Sequence, residues 1–440
     1  MRLESARIAV IGAGVVGSTT ALVLAERGCE VMLIDAEAEP GRGTSYANGS
    51  SLTPAHAEPW NPPGTARRLA GALLRRGQPY RVAASALPGL ARWGTAFLRE
   101  SSAERYYPNA RHCIRLAMHA RRCLEQLRDR HALDYDQRLG GSLELYRTPE
   151  GLAAAIELRR RIDDPDIEYE QLDPTDLVAA EPALATVADQ FQAALLFPAH
   201  ESGDARLFSI AAAERAGELG ATLLFETRAE RIEVARGKLR IYATIRNVER
   251  TIDADRVVLC TGTETDALLR PLALRVPIYP VQGYSLTFPV EPDSAAPDWP
   301  LLDFERRFVT ARLGPHRLRI AGLADFRGDF RGGKRRLRPE RLQLLRERAA
   351  ALLPELAERI HGHPGEAWTG LRPMTPDGPP LIGPTPVEGL WLNTGHGAMG
   401  WTMAAGSADL LADRMLGRRP AIDPAGLDAE RAFRGSRPRY

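Results

Sequence analysis

Gly12, Gly14 and Gly17 stand in G-x-G-x-x-G spacing, and Asp35 follows eighteen residues after the last of them. Such a set suits a diphosphate joined to a ribose. The first glycine permits a tight turn, the second lets backbone approach a pyrophosphate, and the third lets a helix pack closely on a strand. Unpaired N–H groups at the helix start, around Val15 and Val16, face phosphate charge, and the aspartate accepts hydrogen bonds from a ribose diol.

The flanking residues supply the elements that must hold these groups. Residues 7–11 are an apolar run, as expected of a strand buried on both faces of a parallel sheet. A helix follows, with apolar Val15, Val16, Leu22 and Val23, and it stops at Gly28, where a left-handed residue is cheap. Residues 30–34 read as the second strand, with Asp35 at its carboxyl end. A glycine-rich turn followed by a chance acid is the bland alternative. Strand, turn, helix, strand and acid in that order favour dinucleotide binding, and leave FAD and NAD both open.

The chain has 440 residues, enough for two or three domains, with 44% hydrophobic and 26% charged residues. A formal net charge of +2 gives no reason to expect nucleic acid. Lys238 and Lys334 are the only lysines. Cys29, Cys113, Cys123 and Cys260 show neither C-x-x-C spacing nor a disulfide framework, so a reducing, cytoplasmic setting is expected. Cys113 lies on a helical apolar stripe with Ala117, Ala120, Leu124 and Leu127, which predicts core packing. Residues 8–25 carry no charge and have the length of a signal sequence or short span, but the glycine turn explains them better. No other segment is apolar enough to cross a bilayer.

Further motifs lie along the chain: TSYANG at 44–49, PWNPPG at 59–64, VVLCTG at 257–262, WTGLRPMTPDG at 368–378 and LNTGHGAMGWTMA at 392–404. In order and over residues 7 to about 417, this set resembles the flavin-dependent D-amino-acid oxidase and glycine oxidase superfamily, most closely its bacterial D-amino-acid dehydrogenases. Two positions depart from that pattern: Ala398-Met399 stands where Thr-Leu is expected, and Gln282 where a lysine is expected.

The resemblance implies an α/β fold, a Rossmann-like FAD-binding domain interleaved with an α+β substrate domain on a mixed or antiparallel sheet. Residues 1–58, 200–268 and 364–440 would form the first, 59–199 and 269–363 the second. The patterns fit that layout: a helix over 204–220 and a strand over 222–225 continue the first part. Strands over 279–288, 308–313 and 317–322 and a helix over 342–353, launched by Pro339, belong to the second.

The resemblance also implies non-covalent FAD and hydride transfer from the Cα of a D-amino acid to flavin N5, yielding a 2-oxo acid and ammonia. Such a reaction asks for a cation that holds the substrate carboxylate, preferably a planar fork. Arg372 is the candidate. Pro373 biases it towards extended backbone, and Gly370 is expected to leave room beside it. The loop Gly395, His396, Gly397, Ala398, Met399, Gly400 is expected to deliver a helix beginning near Trp401 and Thr402. Its N-terminus would stabilise negative charge on the reduced flavin. His396 has two readings, a contact to flavin or substrate and a loop filler. Tyr284 is either a pocket hydroxyl or an ordinary strand tyrosine. Thr44, Ser45, Asn48 and Gly49 are expected near pyrophosphate and flavin ring, with Thr261 and Gly262 closing over the cofactor. His56 carries little information by itself.

Neither lysine falls inside a cofactor motif, which favours a dehydrogenase passing electrons to a quinone or other carrier. Residues 60–131 carry fourteen arginines against four acids, with apolar stretches at 69–74 and 90–98. Two readings stand: a face resting peripherally on the anionic inner membrane, and solvated faces of ordinary helices. The charge run 331–338 reads as a solvated loop, and the tail beyond Pro420 as loosely structured. The competing functions are a cis-4-hydroxy-D-proline or D-proline dehydrogenase, and the FAD subunit of a multi-subunit amine dehydrogenase. A non-catalytic dinucleotide sensor would leave the Arg372 motif and the His396 loop without purpose.

Overall fold

Arg7–Ile11 and Glu30–Ile34 are strands whose last four residues are all buried, and they pair in parallel with Ala9 opposite Met32. Side chains alternate across a strand. Ile8 and Val10 therefore enter one core and Ala9 and Ile11 another. The sheet runs in the order 222–224, 30–34, 7–11, 256–259, 390–394, 381–384, parallel except for the last strand. Helices Val15–Glu26 and Gly400–Met415 pack on one face. A three-stranded antiparallel sheet, Thr227–Ala235, Lys238–Ile245 and Val248–Ala254, packs on the other. The computed structural model describes residues 6–67, 69, 79–235, 237–246, 248–328 and 336–433.

The second part is a mixed sheet in the order 366–374, 279–289, 317–326, 308–313, 301–303, 142–146, 193–197, 170–172, with Tyr80–Val82 added in parallel to Arg317–Phe326. It is antiparallel apart from that pair and the parallel contact of Ser142–Tyr146 with Leu301–Asp303. Helix Pro339–Leu352, with proline in its first turn, closes its core.

Several expectations change. Glu366–Met374, assigned from sequence to the cofactor part, is the edge strand of the mixed sheet, and the chain returns to the parallel sheet only at Leu381–Pro384. Helix Ala103–His131, assigned to the substrate part, buries Cys113, Ala117, Leu124 and Leu127 in the core shared with Val15–Glu26 and Gly400–Met415. Residues 8–25 are strand, turn and helix, and among the described residues no helix is long and apolar enough to cross a membrane. The tail is not loose over 427–433: Leu427, Ala429 and Phe433 are buried and Arg431 pairs with Asp377 at 2.9 Å.

Part of the basic stretch is matched by acids of the same chain. Arg105 pairs with Glu100, Arg122 with Asp166, Arg128 with Glu201 and Arg130 with Glu26. Residues 70–74 of the apolar stretch, and most of the 331–338 charge run, lie outside the described residues.

Candidate active site

A cleft of about 2410 Å³ runs between the two sheets. At one end sits the glycine turn. Gly12 has φ +101°, and a Cβ there would lie 2.7 Å from the Cys260 carbonyl oxygen. A Cβ on Gly17 would lie 1.7 Å from the Gly12 oxygen, so Gly17 serves helix–strand packing and does not line the cleft. Gly14, Val15 and Val16 do line it. The space over Gly14 is bounded by Ser45 Oγ, 3.4 Å from where a Cβ would be.

Two partners at the turn were not legible in sequence. The Val15 N–H donates to Ser45 Oγ at 3.0 Å, so the serine hydroxyl carries the helix-start charge into the cleft and keeps its own hydrogen to donate. Asp35 accepts from the Ala13 N–H at 2.5 Å and from the Glu37 N–H at 2.8 Å. It braces the turn, and its two oxygens retain lone pairs for a ribose. Burial raises its pKa, against the two backbone hydrogen bonds that lower it.

Thr44, Asn48, Gly49, Thr261 and Gly262 line the middle of the cleft. Thr44 Oγ1 donates to the Leu371 carbonyl at 2.8 Å, and Asn48 Oδ1 accepts from Ser50 at 2.9 Å, fixing both side chains. Gly395, Gly397, Ala398, Met399, Gly400 and Trp401 form the far wall. Gly395 and Gly397 have φ +79° and +57°, which a side chain would resist. Helix Gly400–Met415 starts there without a side-chain cap or an acidic first turn. Thr402 does not line the cleft; its hydroxyl accepts from the Thr53 N–H at 3.3 Å.

His396 is only 4% exposed, and its Nε2 has no hydrogen-bond partner although it borders the cleft. Burial drives its pKa down to about 3, so the imidazole is neutral. A buried polar nitrogen without a partner is costly in a protein interior, and here it marks a place for a ligand atom.

Arg372 lies on the edge strand, with Val281 opposite it. A Cβ on Gly283 would come within 2.5 Å of both terminal guanidinium nitrogens, so the fork lies across that glycine. The room expected at Gly370 is instead filled by the Trp368 ring, 2.1 Å from a Cβ there. On the next strand, Leu323 and Ala324 stand opposite Gly283 alone, a bulge that gives Leu323 a φ of +61°. Its carbonyl thereby meets Arg372 Nη1 at 3.0 Å. The guanidinium also sits over the Trp60 ring, 5.3 Å from its centroid. No carboxylate of the described residues forms an ion pair with it. Burial lowers its pKa to about 10, against the raising influence of Tyr80 and Asp325.

Tyr284 lines the cleft, but its hydroxyl donates to Asp325 at 2.8 Å. Asp325 is fully buried and also paired with Arg341 at 2.9 Å. Tyr284 is therefore a structural strand tyrosine, and burial with Asp325 beside it raises its pKa. Gln282, at the position where a lysine was expected, donates to Thr369 Oγ1 and the Arg336 carbonyl and does not line the cleft.

Sequence reasoning missed the aromatic wall near Arg372. Trp60, Tyr80, Trp93 and Tyr279 come from four separate segments, with Trp93 and Tyr279 5.3 Å apart and Trp60 and Tyr80 6.4 Å apart. Only the PWNPPG motif hinted at Trp60. His56 also lines the cleft and pairs with half-buried Glu58 at 2.9 Å.

A two-sheet cleft with a glycine-rich turn at one end and, at the other, an arginine with no ion-pair partner among the described residues fits a dinucleotide-dependent enzyme. The chain belongs to the DAO family of FAD dependent oxidoreductases, whose model matches residues 7–414. It is 37% identical over 433 residues to the D-amino acid dehydrogenase of Chromohalobacter salexigens, covering 97% of this chain and 99% of that one. It is likewise 37% identical over 433 residues to the D-amino acid dehydrogenase of Rhodopseudomonas palustris, covering 98% and 99%. The glycine oxidase of Geobacillus kaustophilus superposes with a TM-score of 0.72 at 22% identity, covering 97% of this chain and 99% of that one. FAD is thus the cofactor. The residues present fit it: a turn closed to side chains at Gly12 and Gly17, a hydroxyl and a carboxylate for phosphate and ribose, and the orphaned His396 Nε2 beside an uncapped helix start.

Proposed function

We infer that this chain is an FAD-dependent dehydrogenase that oxidises the amine-bearing Cα of D-amino acids, with release of a 2-oxo acid and ammonia. The observation that carries the reading is Arg372: a desolvated guanidinium at the cleft wall, without an acidic partner among the described residues, aimed by one bond to the Leu323 carbonyl. A buried cation is stabilised by an anion that enters with the substrate, and the fork geometry suits a carboxylate. Bound FAD supplies the two-electron acceptor for the hydride that leaves Cα. Arg372 holds the carboxylate, the Trp60 face sets the plane of the fork, and the aromatic wall excludes water from the amine. His396, neutral, offers Nε2 to the cofactor. The N-terminus of Gly400–Met415 favours negative charge at the same place. The relatives named D-amino acid dehydrogenase support D over L.

The electrons pass to a quinone or other carrier in this reading. Lys238 pairs with Asp255 at 3.2 Å on the outer three-stranded sheet, and no lysine of the described residues lines the cleft. In this reading the protein is cytoplasmic and touches the membrane peripherally through helix Leu87–Arg99. The helix buries Trp93 and Phe97 inward and turns Leu87, Arg92, Leu98 and Arg99 outward beside the cleft mouth. Co-sedimentation with anionic vesicles at low salt, lost with neutral vesicles, is the expected result.

The test of the main reading is anaerobic mixing of the yellow protein with D-alanine, D-proline and cis-4-hydroxy-D-proline, with L-isomers as controls. Bleaching of the visible flavin band by a D-isomer alone is expected. The fastest ligand separates primary from cyclic amines. A flavin-loaded chain that no D-isomer bleaches would refute the reading and favour a missing partner subunit.

A further inference from the structure

Outside the cleft, three helices meet: Val15–Glu26, Ala103–His131 and Gly400–Met415. His119 and Cys123 are four residues apart and share one face of the long helix. Asp409 faces them from the helix opposite. His119 Nε2 lies 2.8 Å from Asp409 Oδ2, and Cys123 Sγ lies 3.4 Å from the same nitrogen. All three donor atoms are within 4.8 Å of one another.

A thiolate, an imidazole and a carboxylate are the donor types that zinc takes. Zinc bonds of about 2.0–2.3 Å require tetrahedral donor separations of roughly 3.3–3.7 Å. Cys123 Sγ now lies beside the ring, 3.4 Å from Nε2 and 4.0 Å from Nδ1, so the site completes when the cysteine side chain turns towards the Nε2 edge. A cavity of about 210 Å³ adjoins it, bordered by Cys123, Asp409, Glu26 and Gln126. It offers an entry path and space for water as fourth ligand. The outer shell is also in place. Asp409 Oδ1 accepts from Arg27, whose other nitrogen pairs with Asp413 at 2.8 Å. A ligating carboxylate ordinarily has such a second partner. Charge balances as well: the thiolate, Asp409 and Asp413 offset a divalent ion together with Arg27.

We propose that His119, Cys123 and Asp409 bind one zinc-like divalent ion, with cavity water as the fourth ligand, stapling the long helix to the cofactor-binding core. Binding forms metal–sulfur, metal–nitrogen and metal–oxygen bonds, releases the thiol proton to solvent and moves the His119 hydrogen from Nε2, where Asp409 now accepts it, to Nδ1. Without an ion the same residues make only a His–Asp–Arg network, and that is the competing outcome.

The test uses the FAD-loaded protein, treated with chelator, desalted and equilibrated with zinc chloride. Bound zinc is counted by atomic spectroscopy in wild type, Cys123→Ser and His119→Gln. One zinc per chain is expected in wild type, with affinity reduced at least 100-fold in either variant while bound FAD is retained. A second readout needs no variant. Iodoacetamide labelling of Cys123, followed by peptide mass, should fall at least tenfold with one equivalent of zinc. Absence of zinc, zinc bound equally by both variants, or Cys123 labelled at the same rate with and without zinc would each overturn the site.

Discussion

Replacing Arg372 by methionine should separate binding from stability. The guanidinium is held at a pKa of about 10 by burial, from an ordinary value above 12. Each tenfold change is worth about 1.4 kcal/mol, so keeping this cation charged without a partner costs the free enzyme about 3 kcal/mol. Loss of the hydrogen bond to the Leu323 carbonyl returns about 1 kcal/mol of that. Substrate-free Arg372→Met should then be about 2 kcal/mol more stable than wild type, a Tm raised by roughly 2 °C for a chain of this length. Substrate should suffer in the opposite sense. Removing one partner of a buried, hydrogen-bonded charge pair costs about 2–5 kcal/mol, or about 30-fold to several thousand-fold in kcat/KM. The assay is steady-state turnover of the fastest D-amino acid, the Kd of propionate read from the flavin spectrum, and a thermal melt of the substrate-free holoenzyme. In wild type, kcat/KM should fall as pH rises through about 10, because the arginine is charged below that pH and neutral above it. An unchanged propionate Kd in the variant, or a Tm lowered together with FAD content, would refute the argument and make Arg372 a structural residue.

Gly17→Ala should yield protein without FAD, because its Cβ would sit 1.7 Å from backbone, whereas Gly28→Ala, at φ +79° with nothing within 4 Å, should lose only about 1 kcal/mol and stay yellow. His396→Leu should shift the flavin midpoint potential down by about 30–60 mV, the equivalent of one hydrogen bond to a charged group at about 1.5–3 kcal/mol; an unchanged potential would return His396 to loop filling. Burial depresses the pKa of His200 and His396, so below about pH 6.5 the unfolded chain takes up two protons that the native state refuses. Stability should therefore fall by up to about 1.4 kcal/mol per pH unit for each histidine as pH drops from about 6.5 towards 3, read from melts at constant ionic strength.

Groups whose role is local were legible in the sequence. Gly12, Gly17, Gly395 and Gly397 are needed for left-handed backbone or for close approach within a few residues, and the alternation of residues 7–11 follows from the two-residue strand period. The glycine spacing indicated a dinucleotide for the same reason: a turn that cradles phosphate is made by one short segment. Side-chain partners from distant segments were not legible. Arg372 owes its direction to Gly283 on one neighbouring strand and to the bulge at Leu323 on the next, both set by sheet register. Tyr284 gave its hydroxyl to Asp325, and Arg122, Arg128 and Arg130 of Ala103–His131 found acids on other elements. His119, Cys123 and Asp409 meet only because two helices cross at that level. Backbone conformation is encoded over a few residues, while the partner of a charged or hydrogen-bonding side chain is chosen by packing, which only the folded chain decides.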